Sequence, residues 1–96
     1  MSETRDAYVR KVKAKLDEWN AEIDKLEAKA RQKEAEIKTD YQERIDVLET
    51  KREEANDKLA ALQSAGDAAW QDLKSGVELA ASALGEAVKS ARTRFQ

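Results

Sequence analysis

From Val12 onward the apolar residues return at alternating steps of four and three: Val12, Leu16, Trp19, Ile23, Leu26, Ala30. That spacing draws one stripe down an α-helix, the a/d seam of a heptad repeat. The stripe resumes at Ile37, Tyr41, Ile45 and Leu48, then passes through Arg52 to Ala55, Leu59 and Leu62. The two successive steps of four across Ile37, Tyr41 and Ile45 are a stutter, which locally unwinds a left-handed supercoil. A disordered chain has no reason to hold phase from Val12 to Leu62. None of the 96 residues is proline, the strongest helix breaker. The pattern predicts an all-α protein with a long charged coiled-coil helix over residues 2–62.

The seam is narrow and flanked by charge. Asp6–Arg10, Glu27–Arg31, Glu34–Lys38, Asp40–Arg44 and Glu54–Lys58 are acid-before-base pairs four residues apart. Each supports a solvated helix by about 0.2–0.5 kcal/mol. Between Leu26 and Ile37 no large apolar side chain occurs, and Lys33 and Arg52 fall on seam positions. Their long stems can lie along apolar surface while the charged heads reach water. Few buried contacts are expected over 28–36. A single stripe cannot be buried by its own helix, so this helix must pack on another.

The last third differs. Residues 1–63 carry 30 charged side chains and residues 64–96 carry eight, together with all three glycines and eight alanines. The apolar pattern stays helical through Trp70, Leu73, Val77, Ala80, Ala81, Leu84, Ala87, Val88, Ala91 and Phe95, and it is wider than the upstream seam. Such a face suits a helix touching two neighbours, or one lying on a lipid surface. Between the segments lies Gln63-Ser64-Ala65-Gly66-Asp67. Gly66 can end the first helix in a left-handed C′ position, and Ser64 with Asp67 resembles a capping box. The alternative is an unbroken helix with a second stutter. The turn is favoured, which gives a helical hairpin: one domain over 1–96, with the long helix at 2–62 and an Ala-rich shorter helix at 67–95.

The long arm would span about 90 Å and the short one about 45 Å. The short arm then leaves Trp19, Ile23 and Leu26 uncovered. An antiparallel homodimer solves this, so a coiled-coil or bundle oligomer is expected rather than a folded monomer. The predicted helix–helix interface comprises Val12, Leu16, Trp19, Ile23 and Leu26, then Ile37, Tyr41, Ile45, Leu48, Leu59 and Leu62. From the second arm it takes Trp70, Leu73, Val77, Leu84, Val88 and Phe95.

Several chemistries are excluded. Without Cys or His there is no disulfide, no thiolate nucleophile, no imidazole base and no Cys- or His-ligated metal. No cofactor and no catalytic residue are expected. A net charge of −2 argues against nucleic acid as a partner, which needs a strongly basic face. No apolar run is long enough to cross a bilayer, and Met1 to Lys15 contain no signal-like apolar core, so a cytoplasmic location is the default. Asp17/Glu18 and Glu53/Glu54 are neighbours that point apart on a helix and read as solvated surface. Arg10, Lys11, Lys13 and Lys15 wrap around the helix instead of focusing on an anionic ligand. Trp19 and Trp70 read as seam fillers with one exposed edge.

The run Lys15-Leu16-Asp17-Glu18-Trp19-Asn20-Ala21-Glu22-Ile23-Asp24-Lys25-Leu26-Glu27-Ala28-Lys29 resembles a family of small bacterial coiled-coil proteins, some labelled stress-response proteins. The stretch Ala69-Trp70-Gln71-Asp72-Leu73-Lys74-Ser75-Gly76-Val77-Glu78 is similar to the same family. The resemblance implies a bacterial, non-enzymatic helical protein with a stress-linked role, and it transfers no ligand or catalytic residue. The expected function is an oligomeric coiled-coil scaffold or interaction protein. The alternative is a peripheral lipid- or granule-surface protein using the amphipathic helix 67–95.

Overall fold

A computed structural model describes residues Glu3 to Arg94. It is all-α and consists of three helices: α1 (Glu3–Arg31), α2 (Ala35–Gln63) and α3 (Asp67–Arg94). At 1.5 Å per residue each should run about 43 Å, and the whole measures 51 × 17 × 17 Å. The direction of each helix follows from its contacts. Arg52 reaches Asp24 at 3.9 Å, so α2 runs back along α1. Arg5 pairs with Asp67 at one end and Arg92 lies 3.9 Å from Glu22 at the other, so α3 runs parallel to α1.

The continuous helix expected over 2–62 is therefore two helices. The chain turns at Gln32, Lys33 and Glu34, inside the stretch that has no large apolar seam residue. Gln32 N–H donates to the Lys29 carbonyl at 3.1 Å and Lys33 N–H to that of Ala30 at 3.2 Å. Glu34 is extended (φ −65°, ψ 156°), and its carbonyl accepts from Lys38 N–H at 2.7 Å. Every residue of this turn is a good helix former. Tertiary burial overrides that propensity, because folding back lets the two halves of the seam cover each other and lets α3 cover both. Acids in the first turns and bases in the last turns of α1 and α3 suit their dipoles.

The core is apolar and continuous. Val9, Leu16, Ile23, Leu26 and Ala30 of α1 are buried with Ile45, Leu48, Ala55, Leu59 and Leu62 of α2. From α3 come Trp70, Val77, Leu84, Val88 and Ala91. Burying a Leu, Ile or Val contributes about 1.5–3 kcal/mol, and no polar or charged residue shares the interior among the described residues. Val12, Trp19, Tyr41 and Leu73 pack against this cluster while partly exposed. Ile23 and Leu26, which a hairpin leaves uncovered, are 0% and 2% exposed. Val9 was not expected inside, although it continues the three-four stepping of the seam by one place.

Ile37 and Gly66 stand apart from the rest of the pattern. Ile37, assigned to the interface, is 48% exposed. The register that sets Arg52 beside Asp24 carries Ile37, in the first turn of α2, beyond Arg31, the end of α1. Gly66 does not form a left-handed cap, since no described residue has positive φ. Instead α2 ends with Ser64 at φ −92°, ψ −3°, and Ala65 N–H donates to the Leu62 carbonyl at 3.1 Å. Phe95, also assigned to the interface, lies outside the described residues.

The first turn gives a sign test. Glu34 already has the backbone that precedes proline, and Ala35 is the first residue of α2, where proline is favoured. Ala35→Pro is expected to stabilise the protein by about 0.4–1 kcal/mol, read as a raised urea midpoint. In a continuous helix the same change would cost about 3 kcal/mol.

Candidate interaction surface

The residues with chemical potential are dispersed. Asp17, Glu18, Glu53 and Glu54 are exposed, and among the described residues no three acidic side chains gather as a metal site. Arg10, Lys11, Lys13 and Lys15 all face solvent, and Lys15 Nζ sits 3.4 Å from Glu18 and 6.0 Å from the Trp19 ring centroid. Of the expected four-apart pairs, Glu27–Arg31 closes at 4.0 Å.

The two seam charges behave differently. Lys33 stands in the turn with its ammonium 5.5 Å from the Tyr41 ring centroid. Arg52 lays a half-buried side chain between helices and reaches Asp24.

One end of the bundle is an aromatic cluster. Tyr8 of α1 meets Trp70 of α3 edge-on, with centroids 5.6 Å apart and planes at 68°. Arg5 lies 5.0 Å over the Trp70 ring, and Lys74 lies 4.9 Å over Tyr8. The Tyr8 hydroxyl donates to Glu78 Oε1 at 3.3 Å. Burial, then the Glu78 charge and this hydrogen bond, push the phenol up to about 12. The arrangement closes the bundle end with its own cations, and Trp70 is only 4% exposed.

Between α1 and α2 a carboxyl pair perturbs titration. A hydrogen bond shared with Glu49 is the main cause that raises the Glu27 pKa. Burial and the charges of Glu49 and Asp24 add to it, and Arg52 opposes. A carboxyl raised on folding holds a proton that the unfolded chain releases. Its contribution is complete below the ordinary carboxyl range and is lost as pH rises through the raised value. Glu27→Gln supplies a permanent donor to Glu49. At neutral pH it is expected to raise stability by less than about 1 kcal/mol, since the side chain is partly solvated, and the gain should vanish on acidification. Parallel denaturant titrations at pH 4 and 7 read this difference.

The outer face of α3 has a different character. Leu79 is 75% exposed, the most exposed large hydrophobic among the described residues. Above and below it on that face lie Ala69, Gly76, Ala83 and Ser90, spaced seven apart. Ala69, Ala83 and Ser90 are exposed and Gly76 is half-buried, with Lys58 Cδ 3.9 Å from where a Cβ on Gly76 would stand. Asp72 stands at one end of the face and Arg94 at the other, both exposed. On the side toward α2 a shallow groove of about 170 Å³ runs between Arg44, Val47 and Leu48 and the α3 residues Ala87, Ser90 and Ala91. Val47 is 52% exposed there.

Sequence reasoning assigned Leu73, Val77, Leu84 and Val88 to a helix interface, and the structure turns these inward or partly inward. It passed over Leu79 and Ala83. Their signal was present as a second heptad on α3, offset from the core stripe and written in small residues. Among the described residues no helix is long and apolar enough to cross a membrane. Set against family models, curated proteins and solved structures, the chain matches none.

Proposed function

We propose that the protein is a non-enzymatic helical interaction module that works by self-association as a small scaffold. The observation that carries this is Leu79: a large apolar side chain left 75% exposed on a face otherwise built of small residues. Charged residues cover much of the remaining surface of α1 and α2. An exposed apolar side chain gains free energy when a second surface removes it from water. The non-enzymatic assignment rests on chemistry: no His or Cys occurs in the chain, and the raised Tyr8 and Glu27 groups have structural partners.

The turn at 32–34 changes what association means. Each chain has its own core, so association through an outer helix face joins folded units. The resemblance of the Lys15–Lys29 run to small bacterial coiled-coil proteins fits a stress-linked scaffold of this kind. The competing use of α3 as a lipid-binding helix would require its core-facing residues Trp70, Val77, Leu84 and Val88 to leave a packed interior.

Sedimentation velocity across a concentration series tests the proposal. A weight-average mass rising above the 10.8 kDa of one chain at micromolar concentration is expected. A single-chain mass up to several hundred micromolar would overturn it.

A further inference from the structure

Building on the self-association reading, we infer that the partner of the outer α3 face is α3 of a second copy, packed antiparallel with its two-fold axis at Ala83. The occupant is chosen by charge. The exposed face runs from Asp72 to Arg94, and these two residues lie equally far, eleven positions, on either side of Ala83. In an antiparallel pair centred there, Asp72 of each copy comes level with Arg94 of the other, twice by symmetry. A parallel pair would set Asp72 against Asp72 and Arg94 against Arg94. Opposed helix dipoles favour the same orientation.

Register follows from the side chains between those ends. About the same centre Gly76 comes level with Ser90 and Leu79 with Ala87. Each protruding leucine thus meets a small residue, as a knob meets a hole. Small residues on both sides let the axes approach to about 9–10 Å. With Cα atoms about 2.3 Å from each axis, the two Ala83 Cα atoms come within disulfide range. The face is carried by one helix per subunit and lies at the small end of specific interfaces, so micromolar association is expected.

The chain contains no cysteine, so single introduced thiols report the geometry directly. Ala83→Cys is expected to form a covalent dimer under mild oxidation. Gly76→Cys and Ser90→Cys should each stay unlinked alone, because 14 residues of rise separate like positions by about 21 Å, and they should cross-link when mixed. Leu79→Glu should weaken association at least tenfold while circular dichroism and melting stay unchanged. Asp72→Arg should weaken it too, and Asp72→Arg with Arg94→Asp should restore it.

A protein that dimerises yet resists Leu79→Glu, or whose Gly76→Cys variant links to itself, would overturn this interface and leave self-association standing. A protein that is single-chain at every concentration would overturn both.

Discussion

Trp70→Ala is expected to destabilise the bundle by about 3–5 kcal/mol, the range for truncating a buried Trp or Phe. The indole is 4% exposed and joins the start of α3 to α1 through its edge-on contact with Tyr8. Removing it also takes away the ring over which Arg5 and Lys74 sit. Those cation–ring contacts add about 0.5–1 kcal/mol each where partly exposed. Trp70→Phe separates packing from polarity. The indole Nε1–H is buried without a hydrogen-bond partner, and an unpaired buried donor costs free energy. The phenylalanine variant should therefore lose no more than about 1.5 kcal/mol. Chemical denaturation of both variants, with vesicle binding measured alongside, separates bundle from lipid roles. An unchanged midpoint for Trp70→Ala, with vesicle binding lost, would move α3 from the core of a bundle to the surface of a membrane.

A second large effect is expected at Gly85, and its sign depends on Trp19. Glycine inside a helix costs about 1 kcal/mol relative to alanine, so Gly85→Ala would be stabilising on an isolated helix. Here the added Cβ would stand 2.7 Å from Trp19 Cζ2 and 3.2 Å from Cε2 and Cη2. A flat, rigid ring cannot yield at one atom, and the whole indole must swing outward. Overpacking of this kind costs about 1–3 kcal/mol, so the single substitution is expected to destabilise. In a Trp19→Ala background the same change should stabilise by about 1 kcal/mol. The resulting coupling, about 1–3 kcal/mol, falls in the range for residues in direct contact. The same sign in both backgrounds would mean that Trp19 does not press on Gly85.

These two positions also mark what can be read from a sequence of this kind. Leu16, Ile23, Leu26, Ile45, Leu48, Leu59 and Leu62 were found by spacing alone, because helical periodicity and burial coincide wherever a stripe faces a neighbour. Val9 obeys the same step but sits among Arg5, Asp6 and Arg10, and charge masked it. The pairing of Trp19 with Gly85 was not legible. A glycine chosen to make room for a ring 66 residues away looks like any weak helix former. The turn at 32–34 was illegible for a related reason: Arg31, Gln32, Lys33 and Glu34 contain no breaker. Only the absence of apolar contacts on either side of them marks the place, and the free energy that bends the chain there comes from burying α1 against α2 and α3. Gly66 misleads the other way, since it can adopt a left-handed conformation and does not use it. The exposed stripe around Leu79 is hard to read because α3 carries two stripes, and the bulkier one dominates the pattern.

The breakerless turn has a consequence for topology. A stretch of strong helix formers that is bent only by tertiary contacts can straighten when those contacts are supplied from elsewhere. If Gln32, Lys33 and Glu34 rejoin the helix, α1 and α2 become one rod of about 90 Å, and α1 is carried away from its own α2 and α3. A neighbouring chain that has straightened in the same way can accept it into the identical groove, since every native contact is remade between molecules. This is domain exchange, a low-cost route to dimers when a hinge segment tolerates both forms. An exchanged pair of this kind would keep the core of the closed protomer and differ from it in the conformation of three residues. High concentration would favour such a pair, and a proline at position 35, which keeps Glu34 out of the helix, would hold the closed form.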